Sequence, residues 1–559
     1  QIPVTPFFAI SSVLHCVWAG WGMLLLGRTL GRSRVAAGCG ALLFAGGGFF
    51  SARLFAGQYP HICSAAWLPW FFWMLLRARR SPRRFGRLGW GGVAGVMLAL
   101  QVYAGFPQFV LITLTGAVLL WLVDGRTLVL TGAVAAILAV PVLLPVVRFM
   151  AESQRTAGMS PAEALRDSLG WHSVLTPVMP LGVIDPFSHA GLARVTEFWE
   201  TCGFVGWSPL VLLLAAAGGL WRRRVLRRWL LLGGVSLLLA TGPHWLQAVP
   251  VLSLLRSPGR WLLLTVTAAA VLTAYAVDHL RRRRAWRPLL AWLPVLLTAE
   301  LAWLAWTLLL PPCPYAVGVP YWSQDTATVR FLQAQPPPFR IAALADYPLL
   351  NEAIYHRLES INGYQGLVPR RFYEVLRLHD PQIATATPLY LHRPDNPAFR
   401  LLNVGFVVTR RALESTDTRW QAPVFTDGAV RVYRLPWPAP RVWLPRAYRA
   451  CRTEADVLEE LARPDFDPQA LAAGIGGTSR VYDNDTATVL SAAYGDPRRG
   501  ECVLMVTVME PRMLVVSEHY LPGSRVLIDG QPARSMPVDH ALLGVVVPAG
   551  SHRVTISHE

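Results

Sequence analysis

Between Pro6 and Pro311 the chain runs through long apolar segments, and arginine clusters fill every second gap between them. The clusters are Arg28/Arg32/Arg34, Arg77/Arg79/Arg80/Arg83/Arg84/Arg87, Arg222/Arg223/Arg224/Arg227/Arg228, and Arg281 to Arg284 with Arg287. Bilayer proteins retain basic loops on the cytoplasmic side, so this alternation predicts a multi-pass membrane protein and also its direction. Crossing the hydrocarbon core takes about 20 apolar residues. The sequence gives ten such spans, at 6–27, 34–56, 62–78, 87–104, 107–123, 128–148, 207–221, 229–242, 259–279 and 288–310. With the first large arginine loop inside, the loops at 28–33, 79–86, 124–127, 222–228 and 280–287 are all inside. Those at 57–61, 105–106, 149–206 and 243–258 are outside, together with the tail from Pro311. Gln1 then also falls outside, and 6–27 is followed by arginine as a stop-transfer span would be. The expectation is that the chain begins after an upstream span and part of an outer loop.

Composition narrows the partners. All 52 basic residues are arginine, against 34 acidic ones, for a net charge of +18. An excess of this size points to nucleic acid when it gathers on one aromatic-rich face. Here it sits in short loops between apolar spans, where topogenesis and anionic headgroups account for it. Membrane lipids are therefore the expected partner, and no nucleic acid. None of the seven cysteines forms a CxxC or a Cys/His cluster, which excludes a zinc or redox motif. Spacing leaves open whether Cys451 and Cys502 pair.

From residue 312 to 559 the character changes. Short alternating strands are predicted at Val404–Thr409, Ala429–Leu435 and Val503–Val508. The final stretch reads as Arg525–Asp529 turning at Gly530, then Leu542–Val547 turning at Gly550 into His552–Ile556. Helices are predicted at 370–379 and 453–462, the second opened by Thr453 with acidic residues behind it. The expected fold class is a polytopic α-helical membrane domain over 1–311, followed by a soluble extracytoplasmic domain over 312–559. That second domain passes from α/β to all-β, ends in a β-sandwich and has room for two subdomains.

Several strings carry a likeness to a known family: "GQYPHICSAAWLPWFFWML" (57–75), "LQVYAGFPQFVL" (100–111), "LLRSPGRWLLL" (254–264), "LLNVGFVVT" (401–409), "PRVWLPRAYRA" with "DFDP" (440–450, 465–468), and "HYLPGSRVLIDGQP" with "VPAGSHRV" (519–532, 547–554). In this order, over nearly the whole length, they resemble the YfhO-type bacterial membrane proteins. That family is similar to the GT-C glycosyltransferases, polytopic enzymes that take sugars from polyprenyl-phosphate carriers on the outer membrane face. The chain departs from the family pattern at Ser524, where Trp is usual, and at Phe106, where His is usual. The catalytic acid of the first outer loop would lie before Gln1.

Sugar transfer from a polyprenyl phosphate requires a base for the acceptor hydroxyl and positive charge for the departing phosphate. The segment Arg256-Ser257-Pro258-Gly259-Arg260 is the leading anion site, with Ser257 as N-cap and Pro258 in the first turn of an outward-pointing helix. Arg53 and His61, with Gln58 and Tyr59, form a second polar cluster at the outer ends of spans two and three. Tyr103 and Gln108 flank the outer turn between spans four and five. The outer loop 149–206 supplies Asp185, Glu197 and Glu200 as candidate bases, among Glu152, Arg155, His172 and His189. Glu300, inside the tenth span, is either a site or a hydrogen-bonding group to a neighbouring span. No EF-hand or DxD spacing appears, so no metal ligand is named, and a divalent metal stays open beside the lipid-linked sugar donor.

Two functions fit. The first is a glycosyltransferase-like protein of the bacterial inner membrane that moves a sugar from a polyprenyl phosphate to an envelope polymer on the outer face. The second is a non-catalytic membrane subunit that assembles or stabilises a larger complex of partner membrane proteins. A transporter lacks support, because no paired broken spans carry midplane charges.

Overall fold

The computed structural model describes residues 4–120, 122, 124–157, 165, 168, 175–179, 198–243, 256–309, 325–347, 351–383, 389–413, 422–436, 438–482, 488–494 and 502–558. Its packing divides the chain into two units. One comprises Gln1–Val146 with Gly158–Gly318, the other Val147–Ala157 with Val319–Glu559. Asp185 and Glu197, like His172 and His189, lie outside the described residues.

The first unit is helical. In chain order its helices are α1 (Val4–Thr29), α2 (Arg34–Gly46), α3 (Gly48–Phe55), α4 (Tyr59–Ala65), α5 (Leu68–Arg80), α6 (Arg84–Tyr103), α7 (Gln108–Leu120) and α8 (Gly125–Ala151). After them come the short α9 (Phe198–Thr201), then α10 (Trp207–Trp221), α11 (Arg224–Ala240), α12 (Leu262–Leu280) and α13 (Arg287–Leu309). All ten expected spans fall on helices, two of them as broken pairs. Five stretches are long and apolar enough to cross a membrane, namely Pro6–Thr29, Arg34–Phe55, Gly125–Ala151, Pro258–Leu280 and Arg284–Leu308. Gln108–Leu120 and Trp207–Gly219 are shorter apolar helices. The chain is a multi-pass membrane protein.

Burial separates two kinds of span. Pro258–Leu280 has 83% of its most apolar window inside the protein, whereas Pro6–Thr29, Gly125–Ala151 and Arg284–Leu308 have 22–28%. Helices that are apolar all round yet outward-facing suit a lipid solvent, in which exposed Val129, Ile137 and Leu214 cost nothing. The arginine loops meet at one end of the unit. The Ser33 N–H donates to Asp278 Oδ2 at 3.0 Å, Arg32 pairs with the same carboxylate at 3.4 Å, and the Arg32 guanidinium lies 3.9 Å from the Tyr275 ring. Arg87 and Asp124 join the neighbouring turns at 3.4 Å.

The expected span 34–56 is broken between α2 and α3 by the run Gly46-Gly47-Gly48. A Cβ on Gly48 would stand 2.6 Å from the Phe204 nitrogen, and the Gly48 N–H donates to the Phe204 carbonyl at 2.8 Å. The break therefore admits the segment after α9 against the helix. Any larger residue would push that segment away.

The second unit is built on three sheets. Its strands are β1 (Arg340–Ala343), β2 (Val404–Thr409), β3 (Phe425–Asp427), β4 (Val430–Arg434), β5 (Val442–Trp443), β6 (Ala447–Cys451), β7 (Leu471–Ile475) and β8 (Arg480–Val481). They continue as β9 (Thr488–Tyr494), β10 (Cys502–Val508), β11 (Arg512–His519), β12 (Ser524–Ile528), β13 (Gln531–Ala533), β14 (Ser535–Val538), β15 (Leu542–Val547) and β16 (Gly550–His558). The orders are β1-β2-β4-β3, β13-β12-β16-β10-β9 and β5-β11-β15-β14-β7-β6-β8. The second and third sheets form the expected sandwich. Leu504, Val506, Val554 and Ile556 on one face pack with Leu514, Val516, Val545 and Val547 on the other. Alternate residues of β11, Met513 and Val515, turn to the opposite face and a second core, as the pleat requires. The helices fall at Arg370–His379 and Glu454–Leu461, the latter opened by a capping box between Thr453 and Asp456. Cys451 and Cys502 are both free thiols, on β6 and β10 of different sheets.

The β14–β15 turn carries two consecutive left-handed residues that are not glycine, Asp539 (φ 46°) and His540 (φ 64°), an arrangement that stores backbone strain. Both are buried. Asp539 Oδ1 accepts the Ala473 N–H at 2.8 Å, while Oδ2 has no hydrogen-bond partner among the described residues. Burial pushes the Asp539 carboxyl up to about 8. The folded state thus keeps a proton that the unfolded chain releases near the ordinary carboxylate range. Stability is fully present below that range and is lost as pH rises toward 8. Asp539→Asn removes the titration and keeps the left-handed preference. Thermal unfolding should show the variant gaining on the parent between pH 5 and 8.5, with little difference near pH 4.

Candidate functional site

At the end of the helical unit away from the arginine loops, one carboxylate organises the polar side chains. Glu200 is fully buried on α9. Arg260 grips it with one edge of its guanidinium, Nε to Oε2 at 3.0 Å and Nη2 to Oε1 at 2.6 Å. Arg53, also fully buried, donates from Nη2 to Oε2 at 3.3 Å, and Gln58 donates from Nε2 to Oε1 at 3.2 Å. His61 Nε2 stands 3.9 Å from Oε1. Gln108 completes the ring. Its Oε1 accepts from Arg260 Nη1 at 2.7 Å, and its Nε2 donates to the Arg256 carbonyl at 2.9 Å.

Each side chain arrives for a local reason. The triple-glycine break starts α3 afresh and brings Arg53 against α9, with its Nη1 on the Phe49 carbonyl at 3.1 Å and its guanidinium 3.6 Å from the Phe49 ring. The turn before α4 sets Gln58 at the helix start and His61 one turn in. Phe106, at the position where the family resemblance expects His, walls the site with its ring. The ring centroid lies 3.8 Å from that of His61 and 4.8 Å from the Arg260 guanidinium. A guanidinium over an aromatic face recovers part of what it loses when water is removed.

The segment 256–260 differs from expectation in detail. Ser257 occupies the cap position, but in the left-handed region (φ 58°, ψ 74°) and with no side-chain cap bond. The helix opens as a 3-10 turn over Pro258–Trp261, with Pro258 in its first turn as expected. Ser257 therefore contributes a bend. That bend lets the Arg256 carbonyl point back to Gln108 and, at 3.4 Å, to Arg260 Nη1.

Electrostatics decide what the cluster can hold. Burial pushes the Glu200 carboxyl up, but the Arg260 charge and hydrogen bonds, followed by Arg53, outweigh it and hold it well below the usual carboxylate range. An ionised carboxylate with both oxygens taken is a poor proton acceptor, so Glu200 serves as a positioning residue for Arg53 and Arg260. Among the described residues, two guanidiniums against one carboxylate leave the cluster positive, which suits an anion. Arg53 Nε, Gln58 Oε1 and His61 Nε2 are buried without hydrogen-bond partners among the described residues. Unsatisfied buried groups of this kind collect where a ligand or water binds.

The remaining candidates separate from the cluster. The Tyr103 hydroxyl donates to the Leu138 carbonyl at 3.0 Å on an exposed face, where it joins α6 to α8. Glu300 accepts from the Ser208 N–H at 3.0 Å and the Ser208 hydroxyl at 2.6 Å, so it anchors the first turn of α10. Gly206 (φ 88°) precedes it, and a Cβ there would stand 2.7 Å from Glu300 Oε2. Among the described residues, the only group spaced to hold a metal is Glu374/Glu454/His540 in the second unit. Arg370 and Arg371 already pair with both of its carboxylates.

Removing one partner of a buried ion pair costs about 3–5 kcal/mol. Glu200→Gln should therefore lower the thermal unfolding midpoint of the detergent-solubilised protein sharply, whereas a carboxylate used only as a base would lose turnover at unchanged stability.

No protein-family model matches the sequence, and no curated protein matches it. The solved structures to which the chain is similar include the following three. A mutant of arabinofuranosyltransferase AftD from mycobacteria aligns with 98% of this chain and 53% of its own, at 14% identity and a TM-score of 0.46. ArnT from Cupriavidus metallidurans aligns over 76% of this chain and 83% of its own, at 13% identity and a TM-score of 0.43. The Archaeoglobus fulgidus oligosaccharyltransferase aligns over 78% and 61%, at 16% identity and a TM-score of 0.34. The chain spans about half the length of AftD.

Proposed function

We propose that this chain is a GT-C-like membrane glycosyltransferase, or a close structural derivative of one, that binds the phosphate of a polyprenyl-linked sugar at the outer end of its helical unit. The observation that carries this reading is the cluster around Glu200. It holds two guanidiniums rigid at a span end, keeps a net positive charge and leaves Arg53 Nε unsatisfied. Donors fixed before the ligand arrives stabilise developing phosphate charge without reorganisation. In this reading Arg260 and Arg53 face the phosphate, Gln108 and Glu200 hold them, and the lipid tail runs along the apolar spans. The base for the acceptor hydroxyl is an acid other than Glu200, with Asp185 and Glu197 as sequence candidates. The sugar-bearing face is extracytoplasmic in the bacterial inner membrane, and the acceptor is an envelope polymer.

A second reading has one specific observation behind it. The single carboxylate of the cluster is wholly engaged by arginine and glutamine, which fits a subunit that keeps the anion site without catalysing transfer.

The test uses full-length protein in nanodiscs, a polyprenyl-phosphate sugar and envelope-derived acceptors. Release of polyprenyl phosphate should fall about a hundredfold in Arg260→Lys, which keeps the charge and loses the two-pronged grip. Retention of the lipid without release points to the non-catalytic subunit, and failure to retain it removes both readings.

A further inference from the structure

The second unit holds a cavity of about 370 Å³, at the small end of ligand pockets. We propose that it is a saccharide subsite that takes one neutral, hexose- or pentose-sized ring of a glycan chain. Its role as the place where the acceptor is held rests on the function proposed above.

The lining has the two-faced chemistry of a sugar ring. Phe149, Phe372 and Leu402 give apolar faces, and Ser360 and Gln365 give polar side chains at the rim. The His519 ring sits 4.5 Å from that of Phe372, tilted by 46°, which makes an aromatic corner with a polar edge. Aromatic faces receive the C–H side of a ring, while hydroxyls reach the rim.

The ion pairs beside the cavity favour a neutral ligand. Arg340 faces Glu359 at 3.5 Å and Glu518 at 3.4 Å. Arg441 bridges the same two carboxylates, meeting Glu359 at 2.6 Å and also contacting Glu518. Two guanidiniums balance two carboxylates, so a uronate or phosphate finds no surplus positive charge. A neutral polyol avoids the cost of burying a charge.

The walls are set before any ligand arrives. Asn362 bonds the Ala343 N–H at 2.7 Å and the Ala343 carbonyl at 2.8 Å. Asn351 clamps both backbone groups of Tyr364, at 2.9 and 3.1 Å, which fixes the loop that presents Gln365. The segment carrying Phe149 is tied down as well. Gln154 donates its N–H to the Val368 carbonyl at 3.0 Å and accepts the Val368 N–H on Oε1 at 2.7 Å. Preorganised walls spare a weak ligand the cost of ordering them.

Full-length protein in detergent micelles should be applied to a printed array of neutral, uronate-bearing and phosphate-bearing oligosaccharides. The expected result is retention on neutral glycans only, about tenfold weaker in Gln365→Ala, which loses one hydrogen bond. Leu521→Trp, which fills the cavity from a partly exposed position, should abolish retention at an unchanged unfolding midpoint. No retention on any neutral glycan, a preference for acidic ones, or equal retention by both variants overturns the proposal. Arg260→Lys should leave the array pattern intact while it loses lipid-phosphate release, and Gln365→Ala should retain the lipid phosphate. A failure of one site is thereby told apart from a failure of the other.

Discussion

Burying Glu200 between Arg53 and Arg260 takes three charges out of water, and desolvation alone costs several kcal/mol per ion. A core optimised only for stability would use apolar side chains of similar volume. The arrangement is stable because the geometry is so complete, with four donors on two oxygens and Gln108 and the Arg256 carbonyl holding the outer guanidinium. Much of the helical unit bends to supply that geometry. The Gly46–Gly48 break, the left-handed Ser257 and the 3-10 opening of Pro258–Trp261 all place a polar group on Glu200 or on one of its arginines.

The arginine rhythm was the most legible part of the chain, because loop charge and apolar length are read residue by residue. Asp278 gathers two of those loops as the alternation requires. Arg53, His61, Gln108, Arg256 and Arg260 were each visible as polar residues at outer span ends, and Glu200 as an acid of the outer loop. Their union was not visible, because it depends on a contact between α3 and the residues around α9 that no local periodicity encodes. For the same reason Glu200 read as a free loop acid with a possible role as base, when its partners hold it ionised. Glu300 reads from sequence as a site or a hydrogen-bonding group, and only the fold shows Ser208 as the partner that the second reading needs.

In the sheet-rich unit, β2, β15 and the helix at Arg370–His379 follow the sequence pattern closely, since alternation, turn residues and caps are short-range signals. The Asp539–His540 turn does not. Left-handed φ favours Gly or Asn, and an Asp-His pair gives no local hint of two left-handed residues. His540 Nε2 meets Glu374 Oε2 at 2.6 Å, and Arg371 donates to the His540 carbonyl at 3.2 Å. Long-range contacts thus hold a turn that its own residues disfavour.

The two candidate sites divide recognition by charge. Among the described residues, the cluster around Glu200 has more positive than negative charge in a low-dielectric setting, where an anion is worth most. The cavity beside Phe372 cancels its charges internally and offers ring faces and fixed amides, so it discriminates by shape and hydroxyl position. Among the described residues, neither site contains a carboxylate free of an arginine partner. The carboxylate nearest the anion is held ionised by its arginines, and those nearest the cavity are bridged by Arg340 and Arg441. A transfer reaction on this scaffold that uses a carboxylate as proton acceptor therefore needs it from a third place. That requirement gives the acids of the 149–206 segment their interest, and it separates a catalyst from a binding subunit on the same fold.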